Sequence, residues 1–354
     1  MLATEKYYFL DAYGPCPEPM RSEVGQLANS GIATALVLDN NVCQDLAQFI
    51  RDKTRLHPKR RARVEHLLVS AELSKANIFP GLGLCELVTH WPTLHVDLEK
   101  FASFGDAVER AINLTIPEIF SEIVSTKCTH SVTAVPDNIE AFVPLLTLFY
   151  TSLLKIKLLS RGGLGAKQAY QNLATFLTWA DAMGLFTVLP LQVAFALFGG
   201  DNESRKLLNV KKGKEVRQVV WGAAWDMLYV FVVQQHASLL PIDGIAHRPV
   251  LVTGDKACYI IASRCRLRGA IKSNERILTP FVQVSAEYPH FRSCQAEIQA
   301  LLQSLRRSQV KRVTDWMLGK ERPTLEPWQA EMKHLERELL RDTGLDGRVP
   351  VACG

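Results

Sequence analysis

Four acidic residues sit where an ionised carboxylate is expensive. Asp39 ends the run "ATALVLDNNV" at 33–42, Glu86 lies in "FPGLGLCELVTH", Asp226 interrupts "VVWGAAWDMLYVFVV", and Asp255 closes "PVLVTGD". A charge among apolar side chains is tolerated when it is paired or bound to a metal. Asp39 and Asp255 share one grammar: an apolar strand ends, an acid follows, and a helix begins. Ligands of open parallel sheets collect just outside the carboxyl ends of the strands, so two such strands can deliver two acids to one place. Neighbouring carboxylates resist joint ionisation. A divalent cation relieves that conflict, and an all-oxygen donor set suits Mg²⁺ or Mn²⁺.

Each acid also has a plainer explanation. Asp39-Asn40-Asn41 is an ordinary polar turn if these side chains bond only their own backbone. Asp226 could occupy an exposed position of a buried helix, or pair with a lysine or arginine. Glu86 could lie on a polar helix face. Glu72, in "VSAELSKAN", competes with it but reads as a surface turn. Thr253 could be purely structural, and Lys256 could be simply solvated.

The elements that would position these acids can be read from hydropathy patterning. Residues 5–13 read as a short strand or irregular lead-in, 19–30 as a helix and 33–38 as a strand running directly into the helix of "NVCQDLAQFIRDK". An amphipathic helix, a breaker at 77–81 and a second helix carrying Glu86 follow. From about 92 to 210 the pattern is helical, with breaks at Pro117, Pro136, Gly162-Gly163 and Gly199-Gly200. One long helix spans 213–236, a four-residue apolar strand leads to Thr253-Gly254-Asp255, and the last eighty residues are mainly helical. Strands alternating with helices imply an α/β domain with a parallel sheet. That domain is discontinuous, 1–91 with 211–275, around an all-α insertion at 92–210, and a helical C-terminal region covers 276–354.

Composition sets the outer bounds. With 354 residues, 47% hydrophobic and 22% charged, the chain has the make-up of a folded soluble protein with a sizeable core. The net charge of +5 is compatible with nucleic acid, and it is uneven. Clusters at Lys59-Arg60-Arg61-Arg63, Lys211-Lys212-Lys214, Arg264-Arg266-Arg268 and Arg306-Arg307-Lys311-Arg312 together suggest a phosphate-binding surface. The eight cysteines form no CxxC pair and several lie in apolar runs, which suggests reduced thiols in a reducing compartment. No secretory signal is expected from "MLATEKYYFL". "AFVPLLTLFYTSLLKIKLL" and "GLFTVLPLQVAFALFGG" read as buried helices rather than membrane spans, since the first carries two lysines and the second is short and broken by Pro190. "SRGGLGAKQ" lacks the spacing of a phosphate loop and reads as a helix–helix turn. The dispersed histidines suggest no zinc hydrolase, with His236 and His247 read as loop residues. Trp221 and Trp225, four apart, read as a packing stripe.

Taken in order, "ALVLDNNV", "FPGLGLCE", "AAWDMLYVFVV" and "PVLVTGDKACY" resemble the acidic motifs of PIN-like domain nucleases. The resemblance covers about a third of the chain, and the long gap between Glu86 and Asp226 departs from compact members. It implies a three-layer PIN-like domain in which Asp39, Glu86, Asp226 and Asp255 are catalytic and hold Mg²⁺ or Mn²⁺. Asn41, Thr253 and Lys256 would support them. The implied activity is metal-dependent phosphodiester hydrolysis, with RNA favoured over DNA, in a cytoplasmic toxin, RNA-processing enzyme or defence effector. The partner is then nucleic acid, with room for a regulatory protein or an oligomer and no membrane. A catalytically silent PIN-like binding module is the alternative. A HAD-type phosphatase ranks last, because Asn41 stands where its second acid is needed.

Overall fold

The computed structural model describes residues 6–90, 95–121, 139–184, 188–208, 216–235, 240–242, 245–265, 267–273, 276–282, 288–320 and 324–341. Along the chain run β1 (Tyr8–Asp11), β2 (Gly14–Cys16), α1 (Arg21–Asn29), β3 (Ile32–Leu38), α2 (Asn40–Asp52), α3 (Pro58–Ser74), β4 (Asn77–Phe79) and α4 (Gly81–Val88). The two-residue strands β5 (Thr89–His90) and β6 (His95–Val96) precede α5 (Leu98–Ile112), α6 (Ile116–Phe120), α7 (Ile139–Arg161), α8 (Ala166–Ala182) and α9 (Val188–Phe198). Then come α10 (Val216–Gln235), β7 (Leu240–Ile242), β8 (Ile245–Thr253), α11 (Lys256–Arg264), β9 (Leu267–Ser273), β10 (Arg276–Val282), α12 (Gln295–Met317) and α13 (Glu326–Arg341).

The chain is α/β in the broad sense, mostly helical with one small mixed sheet. The sheet runs β2-β1-β8-β3-β4, with β7 also on β8. It is mixed, not wholly parallel as expected: β3 lies parallel to β4 and to β8, whereas β1 and β7 pair with β8 antiparallel. β3, "IATALVL", is buried over its last five residues, as a strand with neighbours on both sides and a helix above must be. From β3 the chain moves to β4 on one side and returns to β8 on the other. The switch point of the parallel strands therefore falls between β3 and β8.

Two compact units share the chain. The first comprises 1–141 and 229–281, the second 142–228 and 282–354. The division differs from the expected one in two ways. Helices α5 and α6 belong with the sheet, since α5 packs on α2 and α4, and the C-terminal helices belong with the central helical block. The helical reading of the last eighty residues also fails at β10, which pairs with β9, and the breaker at 77–81 holds the short strand β4. Residues 136 and 211–215 lie outside the described residues.

Within the second unit, α9 is buried from Leu189 to Phe198, as a helix apolar on all sides must be. Polar links fasten its neighbours: Tyr150 donates to Glu336 at 2.7 Å, Trp179 to Glu331 at 2.9 Å, and Arg312 to Asp181 at 2.7 Å. Trp225 is fully buried and Trp221 meets both it and Tyr150 edge-on, the packing stripe expected. "SRGGLGAKQ" is the turn between α7 and α8. Phe142–Arg161 and Val216–Gln234 are long and apolar enough to cross a membrane, and just over half of each is buried within the protein.

One backbone approach in the first unit tests the packing. A Cβ at Gly83 would lie 2.7 Å from the carbonyl oxygens of both Leu38 and Asp39, so α4 can dock on the end of β3 only without a side chain there. Gly25, inside α1, has open space around it. Gly83→Ala should lower stability by about 1–3 kcal/mol in urea titration, the usual cost of overpacking. Gly25→Ala should raise it by about 0.5–1 kcal/mol through helix propensity. Equal effects from the two would contradict the docking.

Candidate active site

The ends of β3 and β8 are held in step by their register, which sets Leu38 beside Val252 and so Asp39 beside Thr253. Each strand hands over to a helix through its acid. Asp39 caps α2 by accepting from the Val42 N–H at 2.8 Å, and Asp255 caps α11 by accepting from the Ala257 N–H at 2.7 Å. Aspartate is favoured at this position because its oxygen satisfies a free amide and its charge faces the positive end of the helix dipole. The polar-turn explanation of Asp39 is therefore correct as far as it goes. It leaves the second carboxylate oxygen unaccounted for.

That oxygen receives the Thr253 hydroxyl. Thr253 Oγ1 in turn accepts the Asp255 N–H at 2.8 Å. The threonine thus joins the two acid-bearing turns by donating to one and accepting from the other. It is fully buried and Asp39 is 2% exposed; Asp255 is half-buried. Thr253 is structural in its bonding, and the structure it maintains is the spacing of two acids.

Glu86 arrives on α4, which Gly83 presses against the end of β3. Tyr229 donates to it at 2.7 Å, and the Asn40 amide donates as well while its own oxygen accepts from Gln44 at 3.0 Å. The charges acting most strongly on Glu86 are those of Asp39 and Asp255, both negative. Burial, opposed by its hydrogen bonds and reinforced by those charges, pushes its carboxyl up to about 8. Burial likewise pushes Asp39 up to about 6, against the donated bonds of Thr253, Val42 and Gly254, with Asp255 adding to the rise.

Asp226 is half-buried in α10, three residues before Tyr229, in the stretch that belongs to the second unit. The α/β unit on its own therefore assembles Asp39, Glu86 and Asp255. Asn41 is exposed on the first turn of α2 and Lys256 is exposed on the first turn of α11. Among the described residues, no three His, Cys, Asp or Glu side chains stand close enough together to chelate one ion. Mg²⁺ nevertheless commonly takes only one or two protein carboxylates and fills its shell with water and phosphate oxygens. The donor set, all oxygen and net negative at the switch point, fits such an ion.

Sequence reasoning passed over Tyr229, Asn40, Tyr7 and Asp45. Tyr7 donates to the buried Asp45 at 2.9 Å, and Arg60 pairs with Asp45. The only local hint was a tyrosine or an acid amid apolar residues. The basic cluster at 59–63 is partly committed to such internal pairs, since Arg61 also bonds Glu65 at 2.8 Å. In the cluster at 306–312, Arg312 is held by Asp181, while Arg306, Arg307 and Lys311 are exposed; residues 211–214 and 266 lie outside the described residues. Cys43, Cys85, Cys258 and Cys265 are buried free thiols; Cys128 and Cys353 lie outside the described residues. His247 is a buried strand residue rather than a loop one, with Nδ1 on the Ile245 carbonyl at 2.9 Å; His236 lies outside the described residues. Glu72 is exposed and paired with Lys75 at 2.6 Å, the surface role expected.

The raised carboxyls carry a stability signature. Between about pH 4 and 8 the folded chain keeps protons on Asp39 and Glu86 that the unfolded chain has released. Their contribution is therefore full below pH 4, declines through this window and is lost above pH 8. In EDTA the melting temperature should fall by at least about 5 °C from pH 5.5 to 8.5. Glu86→Gln, which still accepts from Tyr229, should flatten that slope; an unchanged slope would contradict the burial of this charge. Compared with protein-family models, with curated proteins and with solved structures, the chain finds no match.

Proposed function

We propose that the first unit is a metal-dependent nuclease whose reaction centre lies at the carboxyl ends of β3 and β8. The observation that carries this reading is the placement of Asp39 and Asp255 on adjacent parallel strands at the switch point, joined through Thr253, with Glu86 beside them. Asp39 and Asp255 would hold the cation directly and Glu86 would act through water. A divalent ion bound there supplies a water of lowered pKa and neutralises charge on a phosphodiester. Asp39, fixed by three donated hydrogen bonds, provides a carboxylate that does not need to reorganise. Tyr229 and Asn40 hold Glu86 toward the two aspartates. The N-terminal amides of α2 and α11 at this edge favour a bound phosphate. The strand order β4-β3-β8 and the strand–acid–helix turns support the PIN-like assignment. RNA as the substrate, and action within the cytoplasm, belong to the same proposal.

The decisive comparison uses labelled single- and double-stranded RNA and DNA with Mg²⁺, Mn²⁺ or EDTA. Asp39→Asn preserves the helix cap, since asparagine is an equally good capping residue, and removes a buried charge, so its melting temperature at pH 8 should match or exceed that of the native chain. Its metal-dependent cleavage should drop by at least about a hundredfold, the upper end of what even outer-shell partners of a metal cost. Cleavage that persists in this variant, or none with any metal, would remove the proposal.

A further inference from the structure

Beside the acids lies a partly exposed aromatic pair that links β1 to α11. Tyr8, in β1, is the register partner of Thr253 and is 36% exposed. Tyr259, in α11, stands one turn beyond Asp255, with its amide directed at the Asp255 carbonyl at 3.5 Å, and it is half-buried. The two rings lie 4.8 Å apart between centroids and are tilted by 39°. Lys256, exposed, lies between Asp255 and Tyr259 on the same helix. Acid, cation and aromatic thus succeed one another over five residues, from the N-cap to the first turn of α11.

We infer that Tyr8 and Tyr259 form a stacking platform for an unpaired nucleobase whose backbone phosphate lies at Asp39 and Asp255, with Lys256 beside that phosphate. This rests on the nuclease reading and narrows it to single-stranded nucleic acid. Proteins that bind single strands combine a cationic track with aromatic faces on which bases stack, and such stacking tolerates any base. A paired base keeps both faces covered by its neighbours and cannot use the platform. Packing alone does not require tyrosine here, because the outer ring is open to solvent and β1 already buries Phe9 and Leu10.

Fluorescence anisotropy with Ca²⁺ in place of Mg²⁺, on probes checked to be intact afterwards, reads binding apart from cleavage while keeping a cation between the acids and the phosphate. The probes are a labelled single-stranded RNA, an abasic sugar–phosphate strand of equal length and a blunt RNA duplex. The native chain should bind the RNA about tenfold more tightly than the abasic strand. The double variant Tyr8→Leu, Tyr259→Leu should bring RNA down to the abasic level and leave abasic and duplex binding unchanged. Tyr259→Phe, which keeps the ring, should retain RNA binding. Equal affinity of the native chain for RNA and abasic strand overturns the platform, as does unchanged RNA binding in a folded leucine variant or loss of it in the phenylalanine variant. Should the leucine variant fail to fold, the native abasic comparison and the phenylalanine variant still decide. Platform-dependent binding without metal-dependent cleavage would sink the nuclease reading and leave the platform standing; the converse would do the opposite.

Discussion

The β3–β8 register is the constraint on which the rest of the site depends. A strand's side chains alternate, so a slip of one residue would turn every side chain of β8 to the opposite face. Thr253 would then leave Asp39, and Asp255 would lose the hydroxyl that receives its amide. The register is enforced by burial: Val250, Leu251 and Val252 on β8 and Ala35 to Leu38 on β3 are almost wholly inaccessible to water. The apolar core thereby fixes the position of the polar groups at its edge. Gly83 extends the same control to α4, because the helix carrying Glu86 approaches the strand end as closely as backbone atoms permit.

The price of that placement is that the charge of Asp255 raises the pKa of Asp39, and the charges of both raise that of Glu86. Capping, the amide of Gly254, the hydroxyls of Thr253 and Tyr229 and the amide of Asn40 each favour the ionised forms, yet for Asp39 and Glu86 desolvation outweighs them. A chain selected only for stability would hold neutral residues at these sites, since apolar or amide replacements of similar volume relieve buried charge. Conflicts between local stability and composition concentrate where something is bound or transformed.

The turns were legible in the sequence, whereas the pairings were not. At Asp39 and Asp255 the strand, the acid and the helix are contiguous, so hydropathy and capping preference suffice. Thr253 was recognisable as part of the second turn, but its bond to Asp39 spans more than two hundred residues and exists only through the register. β4 reads as a breaker because three residues between Asn77 and Phe79 show no alternation; parallel pairing with β3 makes them a strand. β10 was lost for the same reason, as its identity depends on β9. The parallel sheet failed at β1, β2 and β7, which pair antiparallel; for β7 the signal is local, since only Asp243-Gly244, a hairpin dipeptide, separates it from β8. Asp226 shows the limit from the other side: its apolar surroundings flagged it, but the helix that carries it divides between two units.

Lys256 is an exposed cation at the edge of the acids. At the first position of α11 it faces the positive end of the helix dipole, where an acid is favoured and a cation is not. The neighbouring Asp255 supplies the cap. An exposed cation next to a carboxylate pair suits the polyanionic ligand of the proposed function: carboxylates alone repel phosphate, and a positive charge at their edge would offset that repulsion. The order Asp255, Lys256, Tyr259 at the start of α11 then has a chemical logic, since a nucleotide presents a phosphate and a base in the same sequence as the helix presents a cation and a ring.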